Sequence, residues 1–133
     1  DASEAGVEID LIVRGICCLK AGIPGLSEHI RVRSIVGTFL EHARIFYFYH
    51  DGMEEFYMGS ADWMPRNLDK RIEILFPVEA DDLKAEIKHI LDMQLADTKK
   101  AHLLLPDGRY EKVDQRGKQP LNSQMYFCDY FKR

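Results

Sequence analysis

Glu41-His42-Ala43-Arg44-Ile45-Phe46-Tyr47-Phe48-Tyr49, continuing through Asp51-Gly52 into Phe56-Tyr57-Met58-Gly59-Ser60-Ala61-Asp62-Trp63, has the pattern of two strands joined by a tight turn. Its two arms are rich in strand-forming aromatic residues, and an Asp-Gly pair between such arms signals a hairpin because both residues accept positive φ. A period of two puts His42, Arg44, Phe46 and Phe48 on one face of the first arm, and Ala43, Ile45, Tyr47 and Tyr49 on the other. Register then matters. A two-residue turn pairs His42 with Ala61 and sends Ser60 and Asp62 to the opposite face. A three-residue loop with Gly52 at the bulge position shifts the pairing by one, and His42, Arg44, Ser60 and Asp62 share a face. Concerted action of those four side chains therefore requires the bulged register.

Working outward, residues 7–13 read as a strand that delivers Arg14-Gly15 at its end, and residues 20–27 carry loop chemistry with Gly22, Pro24 and Gly25. Residues 30–36 alternate apolar with basic side chains and predict a strand with Arg31 and Arg33 on one side, although Ser34 to Glu41 also suits a short helix. After the hairpin arm at residues 56–60, the segment from Trp63 to Lys70 reads as a polar loop containing Pro65. Residues 71–76 then alternate as a strand that Pro77 is expected to end. Asp81-Asp82 opens an amphipathic helix whose Leu83, Ile87, Ile90, Leu91 and Leu95 fall at helical spacing, with acids in the first turn where the dipole favours them. This helix should cover one face of the sheet. Leu103 to Tyr110, through Pro106-Asp107-Gly108, predicts a second short hairpin, and Tyr126, Phe127, Tyr130 and Phe131 make an aromatic end. The fold class expected is α/β (α+β): a mixed sheet with a covering helix.

The 133 residues suit one domain, long enough to bury roughly two thirds of the unfolded surface. No apolar run approaches the roughly 20 residues of a membrane-spanning helix. The chain opens on Asp1 and is read as a fragment of something longer. Three cysteines, two of them adjacent, form neither a disulfide framework nor a metal-ligand spacing, which fits a reducing cytosol. A net charge of −4 speaks against nucleic acid as a partner. Through Phe76 the basic residues are six Arg and two Lys, whereas after it there are three Arg and seven Lys. Arginine's planar fork suits a bidentate grip on phosphate or carboxylate, while lysine more often solvates a surface.

A His and an Arg on one strand face, near a hydroxyl and a carboxylate, suit phosphoryl chemistry: imidazole moves a proton or attacks, and Arg offsets charge on oxygen. Taken singly, the same residues suit structural roles. His42 is then a structural histidine, Ser60 and Asp62 are turn or capping residues, and Glu73 is an ion-pair partner for Arg71 or Arg66. The ordered series says more. His42-x-Arg44, then Gly59-Ser60-x-Asp62, then Glu73 resembles the phospholipase D superfamily pattern, with Arg and Asp replacing that family's Lys and Asn, and Tyr49 standing where its Asp is expected.

A denser match is found to the C-terminal catalytic domain of the histidine-dependent polyphosphate kinases. The runs Val13-Arg14-Gly15-Ile16-Cys17, Ile30-Arg31-Val32-Arg33-Ser34-Ile35-Val36-Gly37, Phe39-Leu40-Glu41-His42 and Ser60-Ala61-Asp62-Trp63-Met64-x-Arg66-Asn67-Leu68-Asp69 carry this resemblance over residues 10–78. It implies a phospholipase-D-like domain of a cytoplasmic enzyme that moves ATP's terminal phosphate reversibly, through a phosphohistidine, onto polyphosphate. ATP/ADP and Mg2+ are the implied cofactors. The phosphorylated histidine of that family lies in a preceding domain, so residues 1–133 would be one domain with no metal site of their own, acting with the parent's other domains in a homo-oligomer. Arg14 and His42 match the family's ATP-contacting arginine and histidine. In the implied roles Arg14 and Arg44 grip phosphate, His42 stabilises or protonates the transferring group, and Asp62 or Glu73 orients it with Ser60 in support. Two other readings stay open here: a phospholipase-D-like phosphodiesterase that pairs two copies of His42 across a dimer, and a non-catalytic interaction module.

Overall fold

The computed structural model describes residues 1–132. In chain order the elements are β1 (Ile9–Ile12), β2 (Ile30–Ile35), β3 (Ile45–His50), β4 (Met53–Gly59), α1 (Pro65–Lys70), β5 (Leu75–Val78), α2 (Asp81–Leu95), β6 (Ala101–Leu104), β7 (Tyr110–Lys112) and α3 (Ser123–Tyr130). The mixture of strands and covering helices is the α/β class expected. The strands form two sheets instead of one, and the chain divides into two compact units. One comprises residues 1–40 with those from Asp92 onward; the other is Glu41–Leu91.

The first unit holds the sheet β1-β2-β6-β7, with β1 parallel to β2 and the remaining pairs antiparallel. Ile35, Ala101 and Val113 form its apolar core with Ile12 packed against them. The core is small, and buried polar chemistry supplements it. The Asp97 carboxylate, 1% exposed, accepts from the Lys100 and Ala101 amides at 2.7 and 3.1 Å and from the Ser123 amide and hydroxyl, both at 2.8 Å. These bonds tie the start of α3 to the start of β6. Next to Ser123, the Gln124 side chain donates to the Phe39 carbonyl and accepts from the Phe39 amide, fixing the segment that leaves β2. The two strand arginines take structural work. Arg31 grips Asp10 at 2.8 and 2.9 Å and Glu8 at 2.5 Å, while Arg33, half-buried, donates to the Leu95 carbonyl at the end of α2.

In the second unit β3, β4 and β5 form an antiparallel sheet. Asp51 and Gly52 have φ of 47° and 79°, the two positive angles of a type I′ turn, whose twist matches the flanking strands. Ile45 and Tyr47 of β3 and Phe56 and Met58 of β4 share one face, where Val78, Ile87 and Leu91 complete the core. Within this unit α2 therefore covers the sheet as its periodicity predicts. The polar positions of the hairpin point elsewhere.

Several boundaries differ from expectation. β3 begins at Ile45, not Glu41, because the ladder ends with the Gly59 amide bonding the Arg44 carbonyl at 3.0 Å. The arm expected at residues 56–60 starts already at Met53, since the two-residue turn lets pairing begin at once. The strand expected at residues 71–76 lies instead at Leu75–Val78 and includes Pro77. β5 is an edge strand, so a residue without an amide hydrogen can face away from the ladder at no cost. The supposed loop from Trp63 to Lys70 contains α1, begun by Pro65, whose fixed φ suits the first helical position.

Two predictions test this organisation. Asp97→Ala leaves buried donors at Ser123, Lys100 and Ala101 without their acceptor and should cost about 3 kcal/mol. A urea titration would show a lower midpoint; an unchanged midpoint would mean the network contributes nothing. Hydrogen bonds from Arg31 hold the Asp10 carboxyl below its usual range, and the same arginine, then His29, lowers Glu8. Carboxylates depressed in the folded state stabilise it above their unfolded pKa of about 4 and stop doing so as pH falls through the lowered values. Wild-type stability should thus decline more steeply than that of Arg31→Met as pH drops from about 5 toward 2, measured by denaturant unfolding at each pH.

Candidate functional site

The arginine expected to grip phosphate is built in by its neighbours. Arg44 follows an extended segment outside the ladder, and its guanidinium turns toward Asp62 on the strand-exit segment opposite. Nε and Nη2 donate to Asp62 Oδ1 at 3.1 and 2.7 Å, and Nη1 donates to the His42 carbonyl at 2.6 Å. Its side chain is 22% exposed, against 47% for Asp62. Three of the five guanidinium N–H groups are thus used, and two are uncommitted among the described residues. The head is held in place yet retains donors for an anion.

The bulged register that would put His42, Arg44, Ser60 and Asp62 on one face is not the one adopted. His50 pairs with Met53 and Ile45 with Met58, the strict two-residue register. Arg44 and Asp62 meet all the same, because both lie beyond the ladder, where strict alternation lapses and a long side chain can cross. Ser60 goes elsewhere. Its hydroxyl donates to Glu73 at 2.5 Å and accepts from the Ile74 amide at 3.0 Å, while its own amide bonds the Ile74 carbonyl. The cluster is therefore two pairs, Arg44–Asp62 and Ser60–Glu73. Among the described residues Glu73 makes no ion pair with Arg71 or Arg66.

His42 is exposed, and its ring has no hydrogen-bond partner among the described residues. Of the two carboxylates expected to orient the transferring group, Asp62 bonds Arg44 and Glu73 bonds Ser60. The His42 backbone, rather than its ring, joins the cluster. Arg14 belongs to the first unit, where it follows the last rung of the β1–β2 pairing, the Val13 amide on the Arg33 carbonyl at 2.8 Å. That is the carboxyl end of two adjacent parallel strands, a favoured location for ligands in α/β sheets.

α1 contributes support that reading residues 63–70 as a loop did not reveal. Asn67, 3% exposed, donates from Nδ2 to the Asp62 carbonyl at 3.2 Å, and its Oδ1 is buried with no partner among the described residues. Trp63 stacks on Phe46 with ring centroids 5.5 Å apart. Together they pin both ends of the turn that presents Asp62. The one sequence signal for this helix was Pro65 followed by five residues free of glycine and β-branching. Gly59 is fixed by close approach, because a Cβ there would lie 3.2 Å from the Ile74 carbonyl oxygen and 3.3 Å from Leu75 Cδ1.

The division into two pairs is testable by double-mutant cycles on stability. Arg44→Ala with Asp62→Ala should show a coupling of about 0.5–1 kcal/mol, as expected of a partly exposed pair, and Arg44→Ala with Glu73→Ala a coupling near zero. Equal couplings would indicate a single network.

With this geometry in hand, comparison with known proteins is specific. The family model described as polyphosphate kinase C-terminal domain 2 matches residues 1–124. The chain is 57% identical over 123 residues to the polyphosphate kinase of Synechocystis sp., which covers 92% of this chain and 17% of the relative. It is 53% identical over 134 residues to that of Halalkalibacterium halodurans, covering 100% of this chain and 19% of the relative. The crystal structure of polyphosphate kinase from Porphyromonas gingivalis superposes with a TM-score of 0.92 at 46% identity, covering 98% of this chain and 20% of that one. The chain thus spans a fifth or less of the length of these relatives. On this match the chain belongs to the polyphosphate kinase C-terminal domain 2 family.

Proposed function

We propose that residues 1–133 act as one domain of a longer polyphosphate kinase, a cytoplasmic phosphotransferase that moves the terminal phosphate of ATP reversibly onto inorganic polyphosphate through a phosphohistidine. The histidine that carries the phosphate lies, on this reading, in the preceding domain of the parent, and the parent works as a homo-oligomer. No described helix is long and apolar enough to cross a membrane. The observation that carries the proposal is Arg44, immobilised by Asp62 with two donors to spare beside the unpartnered imidazole of His42.

In this scheme Arg44 binds phosphate oxygens with fixed donors that need no reorganisation as charge develops, and Arg14 is a phosphate ligand within its own unit. His42 donates a hydrogen bond, or its proton, to an oxygen of the transferring group as the bond to the leaving oxygen breaks. Asp62 keeps the Arg44 fork oriented. Ser60 and Glu73, joined by their hydrogen bond, shape the exit from β4. Magnesium accompanies nucleotide phosphates in such chemistry. Among the described residues no three His, Cys, Asp or Glu side chains converge, and no step here runs through the ion. Phosphodiesterase chemistry draws less support, since Arg44 and Tyr49 replace the lysine and aspartate of that pattern.

Titration of tripolyphosphate and of ATP onto the wild type, Arg14→Ala, His42→Ala and Arg44→Ala by calorimetry tests the assignment. Loss of a charge-assisted contact should weaken binding by about tenfold or more in each arginine variant. Unchanged affinity in all three variants would refute it. Labelled ATP should leave no acid-labile phosphate on the isolated chain, and stoichiometric labelling of His42 would reassign the phosphate carrier.

A further inference from the structure

Among the eight described arginines, six are engaged: Arg31 with Asp10 and Glu8, Arg33 with the Leu95 carbonyl, Arg44 with Asp62, Arg109 with Asp107 and Arg116 with Asp114, while Arg14 also has an interaction. The side chains of Arg66 and Arg71 alone have no hydrogen bond or ion pair to any described residue, Arg71 bonding only through its amide to the Asn67 carbonyl. Arg66 lies in the first turn of α1 and Arg71 directly follows it, and the Lys70 side chain in the last turn is likewise without a described partner.

Helix electrostatics explains only half of this arrangement. A cation in the last turn, as Lys70 is, meets the negative end of the dipole; a cation in the first turn, as Arg66 is, meets the positive end. α1 has no acidic residue in its first turn to offset Arg66. An exposed guanidinium held against the local field without a carboxylate partner contributes nothing to folding that would explain it. Its position favours an anion brought from outside. Arg66 and Lys70 are four residues apart, hence on one side of the helix and separated by about 6 Å along its axis. The helix is anchored through Asn67 to the Asp62 carbonyl, so within this unit the pair has a fixed relation to the Arg44 head.

We propose that Arg66 and Lys70 form a second phosphate-binding strip, which engages a linear polyphosphate beyond the phosphates held by Arg44 and so distinguishes a long chain from a nucleotide or short oligophosphate. This rests on the reading of Arg44 as a phosphate ligand. Each contact is a charge pair with one phosphate, so its strength is additive along the chain and depends on salt. Asp69, exposed between the two cations in sequence, is the group that opposes them.

The test is calorimetric titration of the 133-residue chain with long-chain inorganic polyphosphate and with tripolyphosphate over a series of salt concentrations. In Arg66→Gln/Lys70→Gln, affinity for the long chain should fall about tenfold at low salt, and the slope of log affinity against log salt should become shallower by about 1.4, the share of two contacts. Tripolyphosphate binding should stay within about twofold, and Asp69→Asn should strengthen the long chain only. Arg44→Ala should weaken both ligands. Equal losses for both lengths in the double variant, or no change in the salt slope, would overturn the strip. If the double variant loses the long chain while Arg44→Ala changes neither ligand, the strip stands and the Arg44 assignment falls. A wild type that binds neither ligand would overturn both.

Discussion

The phosphate site proposed beside His42 depends on how one guanidinium is held. Arg44 spends three N–H groups on Asp62 and on the carbonyl of His42, two residues away. A free arginine side chain has considerable rotamer entropy to lose when it binds an anion; this one has already lost much of it on folding. The cost is a carboxylate that offsets part of the positive charge. What remains is a fork of fixed direction with unspent donors, placed just past the end of a hairpin ladder. That position follows from a turn of two residues and a strand that stops at Gly59, where a Cβ would lie 3.2 Å from the Ile74 carbonyl oxygen.

Local chemistry made some of the fold readable and long-range packing concealed the rest. Asp51-Gly52 specified its turn because both backbone angles are positive there, and α2 announced itself through apolar residues at helical spacing. The hairpin around Gly108 was similarly local. Pro77 misled because proline's effect on a strand depends on which side the neighbour lies, and the sequence alone does not say that β5 is an edge. α1 was missed because six residues without a capping side chain carry almost no periodic signal. Division of the strands into two sheets is a matter of tertiary pairing: β2 finds β6 more than sixty residues later, at Arg33 and Leu103.

The site shows the same split. His42, Arg44, Ser60, Asp62 and Glu73 were all singled out by residue type and order, yet their partnerships were not those that strand alternation suggested. Alternation governs side chains only while the ladder lasts, and this site begins where the ladder ends. Asn67 was invisible because a buried amide supporting a backbone carbonyl leaves no mark on the sequence beyond its own presence. Arg66 and Arg71 became notable only when the other arginines were seen to be engaged.

Family membership and geometry answer different questions. Similarity across almost the whole chain says what enzyme family the domain comes from; the hydrogen bonds say how each of its arginines is held. The most direct measurement is nuclear magnetic resonance of the chain with 15N-labelled arginine and histidine side chains, titrated with tripolyphosphate. The account predicts saturable, concerted shifts of the Arg44 Nε–H and His42 ring signals while Arg109 and Arg116, paired with their own aspartates, stay in place. Shifts spread evenly over all arginines, or none at Arg44, would contradict it.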